Sequence, residues 1–206
     1  VSATTHIVIL YMETFAAAVT LFLIMDPLGN IPIFLSVLSR VPEQRRRRVL
    51  LRELLIALGL MLLFLFMGPG ILHLLALSRE AVSIGGGLVL MIIAVRMIFP
   101  SRGGVMGSDD DDGEPLVVPL AVPLIAGPSV LATLILLAES GPDRSVDWLI
   151  ALGGAWTVTA IILMMSQRLY KVLGARGLKA IERLMGMILI SVSVQMLLNG
   201  IASYLS

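Results

Sequence analysis

The sequence predicts an all-α polytopic membrane protein with six transmembrane helices in two inverted three-helix repeats, the first and fourth helices being discontinuous. Three observations predict it: a scarcity of charge, six long apolar runs, and a weak internal repeat carrying matched proline and glycine breaks. Of 206 residues, 58% are hydrophobic and 14% charged, whereas a soluble domain carries about 25% charged residues.

A helix needs roughly 20 apolar residues to cross the hydrocarbon core. Runs of that order lie at 13–39, 49–70, 80–99, 116–138, 146–166 and 183–204. Backbone groups in lipid must be satisfied internally, which leaves helices or closed barrels. These runs are too long and too continuously apolar for barrel strands. The first has no basic region before it and no small-residue cleavage pattern, so it reads as a span rather than a removable signal.

The connections carry the charge. Arg40, Arg45, Arg46, Arg47, Arg48 and Arg52, then Arg102, then Arg168, Lys171, Arg176, Lys179 and Arg183 fall on one side of the predicted membrane. The other side has Arg79 and Arg144, and Arg96 stays near the end of the third span, where it can snorkel to the interface. The positive-inside rule then places both termini outside the cytoplasm. The stretch 103–114, with Asp109 to Asp112 among glycines, cannot bury apolar surface and reads as a flexible acidic linker. It divides the chain into a first three-helix repeat, 1–102, and a second, 115–206.

The repeat rests on two landmarks. Aligning Pro27 with Pro128 gives an offset of 101, while Gly87 matches Gly186 and Val95-Arg96-Met97 matches Val194-Gln195-Met196 at an offset of 99. With three crossings each, the halves enter the membrane from opposite sides, an architecture common among secondary transporters.

The breaks are the candidate site. Asp26, Pro27, Gly29, Asn30 and Pro32 interrupt the first span, and Pro123, Gly127, Pro128 and Ser129 interrupt the fourth. Proline removes a backbone donor and clashes with the preceding turn. A broken helix exposes N–H groups on one half and carbonyls on the other, with opposite partial charges. Two such breaks could hold a zwitterion: N–H groups on its carboxylate, carbonyls and Asp26 on its ammonium, and Asn30, Ser129 and Thr133 adding neutral hydrogen bonds. A carboxylate at mid-membrane costs about 2.5–3.5 kcal/mol on insertion scales and is a functional candidate by default. The competing reading is a pair of kinked helices in which Asp26 and Asn30 merely cap freed backbone groups.

Other polar groups weigh less. Ser191, Ser193, Gln195 and Asn199 on the last span line a path or join helices. Gly85-Gly86-Gly87 permits close helix approach, and the twelve methionines read as apolar filler. With no cysteine and two distant histidines, thiolate and histidine metal sites are not expected. No P-loop, nucleophile–base pair or nucleic-acid motif is visible, so an enzyme is the least favoured class.

The strings MDPLGNIPIF at Met25 to Phe34 and PLAVPLIAGPS at Pro119 to Ser129 resemble the MarC family of bacterial inner-membrane proteins, also described as the small neutral amino acid transporter family. The resemblance covers the whole chain: six spans, the arginine-rich first connection and both motifs in order. It implies inner-membrane location and a small neutral amino acid such as glycine or alanine as substrate. It carries the motif roles onto Asp26, Pro27, Gly29, Asn30, Pro32, Pro123, Gly127, Pro128 and Ser129. Ser129 stands where relatives often have glycine or another small residue. The leading expectation is a secondary carrier working by alternating access without a bound cofactor, coupled to H⁺ or Na⁺. Alternatives are a small-solute channel, an exporter of other metabolites, or a non-transporting scaffold. Membrane lipid is an expected partner, and small residues on several spans permit a homo-oligomer.

Overall fold

The computed structural model describes residues 3–39, 41–99 and 125–205. The described residues form helices α1 (Ala3–Met25), α2 (Pro27–Ser39), α3 (Glu43–Leu74), α4 (Arg79–Ile98), α5 (Pro128–Ser140), α6 (Ser145–Met164) and α7 (Ser166–Leu205). A 3₁₀ turn at Pro142–Arg144 joins α5 to α6. Segments Tyr11–Ile31, Glu43–Leu74, Arg79–Ile98, Pro142–Met164 and Ser166–Leu205 are each long and apolar enough to cross a membrane, and Pro128–Ser140 is a shorter apolar helix. The fourth expected span, 116–138, begins outside the described residues, as do Pro123 and the linker 103–114.

The helices overrun the apolar stretches. α3 starts at Glu43, ahead of the Arg45–Arg48 cluster, and α7 starts at Ser166, well before 183. Apolar runs mark the bilayer, while helices continue into water wherever propensity permits. In α7 the turn that breaks helical geometry falls at Gly174, whose φ of 64° lies in the left-handed region open to glycine. Large apolar side chains such as Phe15, Phe66, Leu184 and Leu198 face outward, where acyl chains would cover them.

Two ion pairs define one end of the bundle. Arg79 at the start of α4 meets Glu139 at the end of α5 at 2.7 Å. Arg144 before α6 pairs with Glu13 on α1. Chain direction then puts the N-terminal arginines of α3 and the basic start of α7 together at the opposite end.

Packing centres on the antiparallel α4–α7 pair, the most extensive helix contact. α2 lies against α7, α5 against α4, α1 against α6 and α3 against α5. The α4–α7 contact is reciprocal. A Cβ on Gly87 would lie 3.0 Å from the Ser193 carbonyl oxygen and 3.1 Å from Met196 Cβ; one on Gly186 would lie 3.1 Å from both the Ala94 carbonyl oxygen and Met97 Cβ. The two sets differ by a constant offset of 99 residues, the offset the sequence shows between the matched glycines. Glycine on both helices allows the backbones this approach. Gly85 faces open space; Gly87 makes the approach to α7, and Gly86 the approach to α5, where a Cβ would lie 2.8 Å from Ala132 Cβ.

Candidate functional site

The first break sits at Asp26, between α1 and α2. Proline disfavours the α conformation in the residue before it, and Asp26 adopts φ 41°, a left-handed state that aspartate tolerates better than most residues. Pro27 then occupies the first turn of α2, where its missing N–H costs nothing. Asp26 Oδ1 accepts a hydrogen bond from the Gly29 N–H at 3.1 Å, the usual N-cap contact to the third helical residue. Asn30 Nδ2 donates to the Met25 carbonyl at 3.1 Å, closing the exposed end of α1. The polar groups proposed to meet substrate are therefore also the groups that mend the break, the arrangement that the kinked-helix reading requires.

The break is packed tightly. Asp26 is 5% exposed, and Pro27 and Gly29 are buried. A Cβ on Gly29 would collide with the Asp26 carboxylate and the Met97 methyl. Thr159 on α6, fully buried, donates to Met25 Sδ at 3.6 Å. Pro32 lies within α2. Thr159 was not singled out in the sequence, and Met97 entered only through the repeat match of Val95-Arg96-Met97 with Val194-Gln195-Met196.

At the second break Gly127, with φ −62° and ψ 165°, caps α5 without a side chain, and Pro128 is its first residue. Among the described residues the first-turn N–H groups of α5 thus have no side-chain cap, unlike those of α2. Ser129 Oγ donates to the Gly86 carbonyl at 3.0 Å. Thr133 Oγ1 donates to the Ser129 carbonyl at 2.8 Å. Both hydroxyls are buried. Pro128 is exposed and lines an apolar groove with Phe64, Leu131 and Ile135, away from the polar face of α5. Ile24 and Met25 before the first break and Ile125 and Ala126 before the second belong to one apolar core.

A cavity of about 450 Å³ opens at the Glu13–Arg144 end, between α1, α5 and the start of α6. It reaches Thr20 and Thr133, so it connects the bundle end to the hydroxyl ladder of α5. Two other grooves, about 500 and 440 Å³, have almost wholly apolar linings. Sequence reasoning also passed over Glu53, an acid within the second apolar run. It is 6% exposed; Arg52 Nη2 donates to its Oε1 at 2.9 Å, while Oε2 has no hydrogen-bond partner among the described residues. Among the described residues no cluster of His, Asp and Glu could hold a metal.

Residues 11–205 match the family described as MarC family integral membrane protein. The chain belongs to the MarC family. It is 50% identical over 193 residues to the UPF0056 inner membrane protein YhgN of Escherichia coli K12, covering 94% of this chain and 98% of that one. It is 48% identical over 192 residues to a membrane protein of Buchnera aphidicola subsp. Schizaphis graminum, covering 93% and 97%. A membrane protein of Pyrococcus abyssi is 33% identical over 194 residues, covering 92% and 95%. No solved structure matches. MarC membership and the helical membrane fold agree with the expectation from MDPLGNIPIF and PLAVPLIAGPS.

Proposed function

We propose that this MarC protein is a secondary carrier of small neutral amino acids working by alternating access in the inner membrane. The observation that carries the reading is the unequal capping of two breaks within one core. Among the described residues the α5 N-terminus lacks a side-chain cap and so offers N–H groups and positive partial charge to a carboxylate. The α1–α2 break holds the buried Asp26 carboxylate, suited to an ammonium. The buried Ser129 and Thr133 hydroxyls add polar groups beside the α5 N-terminus.

The reciprocal α4–α7 contact supports an inverted repeat. A two-fold-related interface of glycine and small residues is a surface on which two halves can rock without losing contact. The segregation of arginines to one bundle end supports placing that end in the cytoplasm and the Glu13–Arg144 end outside. H⁺ or Na⁺ coupling through Asp26 belongs to the same reading.

The test is alanine and glycine transport by purified protein in liposomes, with pH and Na⁺ gradients imposed separately. Accumulation competed by other small amino acids, with counterflow, is expected; flux without counterflow points to a channel. The scaffold reading has one observation in its favour, that Asp26 and Asn30 already satisfy the broken backbone. Folded protein showing no flux under either gradient would favour a different substrate or that reading.

A further inference from the structure

We propose that the cavity between α1, α5 and α6 is a separate access site for amino-acid zwitterions, closed by the Arg144–Glu13 ion pair. The proposal rests on the carrier reading above and adds a second binding position to it. Three observations carry it.

The first is charge arrangement. The Arg144 guanidinium is held from one side by Asp147, whose Oδ2 accepts from Nε at 2.9 Å, and lies 4.6 Å from the centre of the Trp148 ring. Trp148 Nε1 donates to the Gly141 carbonyl at 3.0 Å, which fixes the ring. The two terminal nitrogens point towards α1: Nη1 to Glu13 and Nη2 to Thr14 Oγ1 at 3.4 Å. A guanidinium oriented through Nε with its terminal nitrogens directed to one side presents the fork that binds a carboxylate in bidentate fashion.

The second is that the pair is replaceable. Glu13 is 54% exposed, and a solvent-exposed ion pair contributes little net stability. A zwitterion offers both missing partners, its carboxylate to Arg144 and its ammonium to Glu13. An anion alone would leave Glu13 without its partner, and a cation alone would take Glu13 from the Arg144 terminal nitrogens, leaving that guanidinium only its Asp147 side.

The third is what lies beneath. The pair stands over a cavity whose α1 wall is Ala16, Ala17 and Thr20 and whose α5 wall includes Thr133. Thr133 bonds to the Ser129 carbonyl, and Ser129 to α4. The cavity thus ends at Thr133, one helical turn from Ser129 at the break in the fourth span. The other two grooves have almost wholly apolar linings and no ion pair in them.

Trp148 makes the site observable. The chain has two tryptophans, so Trp156→Phe leaves Trp148 as the single fluorophore, stacked on the group that would move. In lipid nanodiscs, alanine should produce a saturable change in its emission; lactate and ethylamine should not. Arg144→Gln and Glu13→Gln should each raise the half-saturating alanine concentration about tenfold, the scale of one lost charge-assisted contact. Arg144→Lys, which keeps the charge but not the fork, should fall between, and Asp26→Asn should leave the response in place. Alanine transport is measured on the same proteins. Transport without any Trp148 response, or a response unchanged in the Arg144 and Glu13 variants, overturns the access site and leaves the carrier standing. A response to lactate alone makes it an anion site and also overturns the proposal. Absence of both alanine transport and response removes the carrier reading and the access site together.

Discussion

Consider Gly29→Ala. The new methyl would enter space occupied by the Asp26 carboxylate and the Met97 methyl. If Asp26 retreats, the cap on the Gly29 N–H is lost, at about 1 kcal/mol. If Met97 retreats, the α2–α4 contact is overpacked, at about 1–3 kcal/mol. Together they give about 2–4 kcal/mol, read by equilibrium unfolding in mixed micelles. The two parts separate by a double-mutant cycle. Met97→Ala removes the flexible obstacle but not the carboxylate, so Gly29→Ala in that background should still cost about 1 kcal/mol, the cap alone. A cost below about 0.5 kcal/mol in the wild-type background, within the range of an ordinary surface change, would refute the claim that glycine is required by the Asp26 cap.

Three further outcomes are expected. Asp26→Asn should preserve the helix break, because asparagine caps about as well as aspartate, while reducing alanine transport and its ion coupling; undiminished, still coupled transport would sink the ammonium role. Ala76→Gly should stabilise the chain by roughly 1 kcal/mol in mixed-micelle unfolding, since Ala76 holds φ 53° where α3 closes with Leu77 N–H on the Leu72 carbonyl and Ala76 N–H on the His73 carbonyl, a motif that prefers glycine there. Gly87→Ala and Gly186→Ala should destabilise by amounts within about 0.5 kcal/mol of each other, because each Cβ meets the equivalent atoms of the other helix.

The sequence made legible what local chemistry determines. Asp26-Pro27 announces a break because proline restricts the residue before it, and the structure puts the break there. Gly87 and Gly186 were paired from their spacing, and they pack reciprocally. The purpose of Asp26 was not legible, since capping a helix and holding an ammonium ask for the same residue at the same place. Helix ends were misjudged at α3 and α7 because hydropathy reports lipid contact rather than backbone conformation. Arg144 and Glu13 lie 131 residues apart, and nothing local to either marks the other as its partner. Pro128 was grouped with the site by motif, yet its ring lines the apolar groove, because a proline acts on a break through its backbone whichever way its ring points.

The two breaks look alike in sequence and differ in electrostatics, and that difference fixes the polarity of the proposed site. At α2 the partial positive charge of the helix start already faces Asp26. At α5 the cap is Gly127, which has no side chain to do the same. An incoming carboxylate therefore gains more at α5, and its ammonium is left to Asp26. Gly127→Asp tests this directly. The extended backbone at Gly127, φ −62° and ψ 165°, accepts an L side chain, and aspartate there would supply the missing cap. The cap gains a few tenths of a kcal/mol over glycine, which offsets only a small part of the about 2.5–3.5 kcal/mol that a carboxylate costs at mid-membrane, so the variant should be less stable than the wild type at this buried position. Alanine transport should fall sharply, because a built-in carboxylate would compete with that of the substrate. A folded variant that transports alanine normally would show that the α5 N-terminus does not receive the substrate carboxylate.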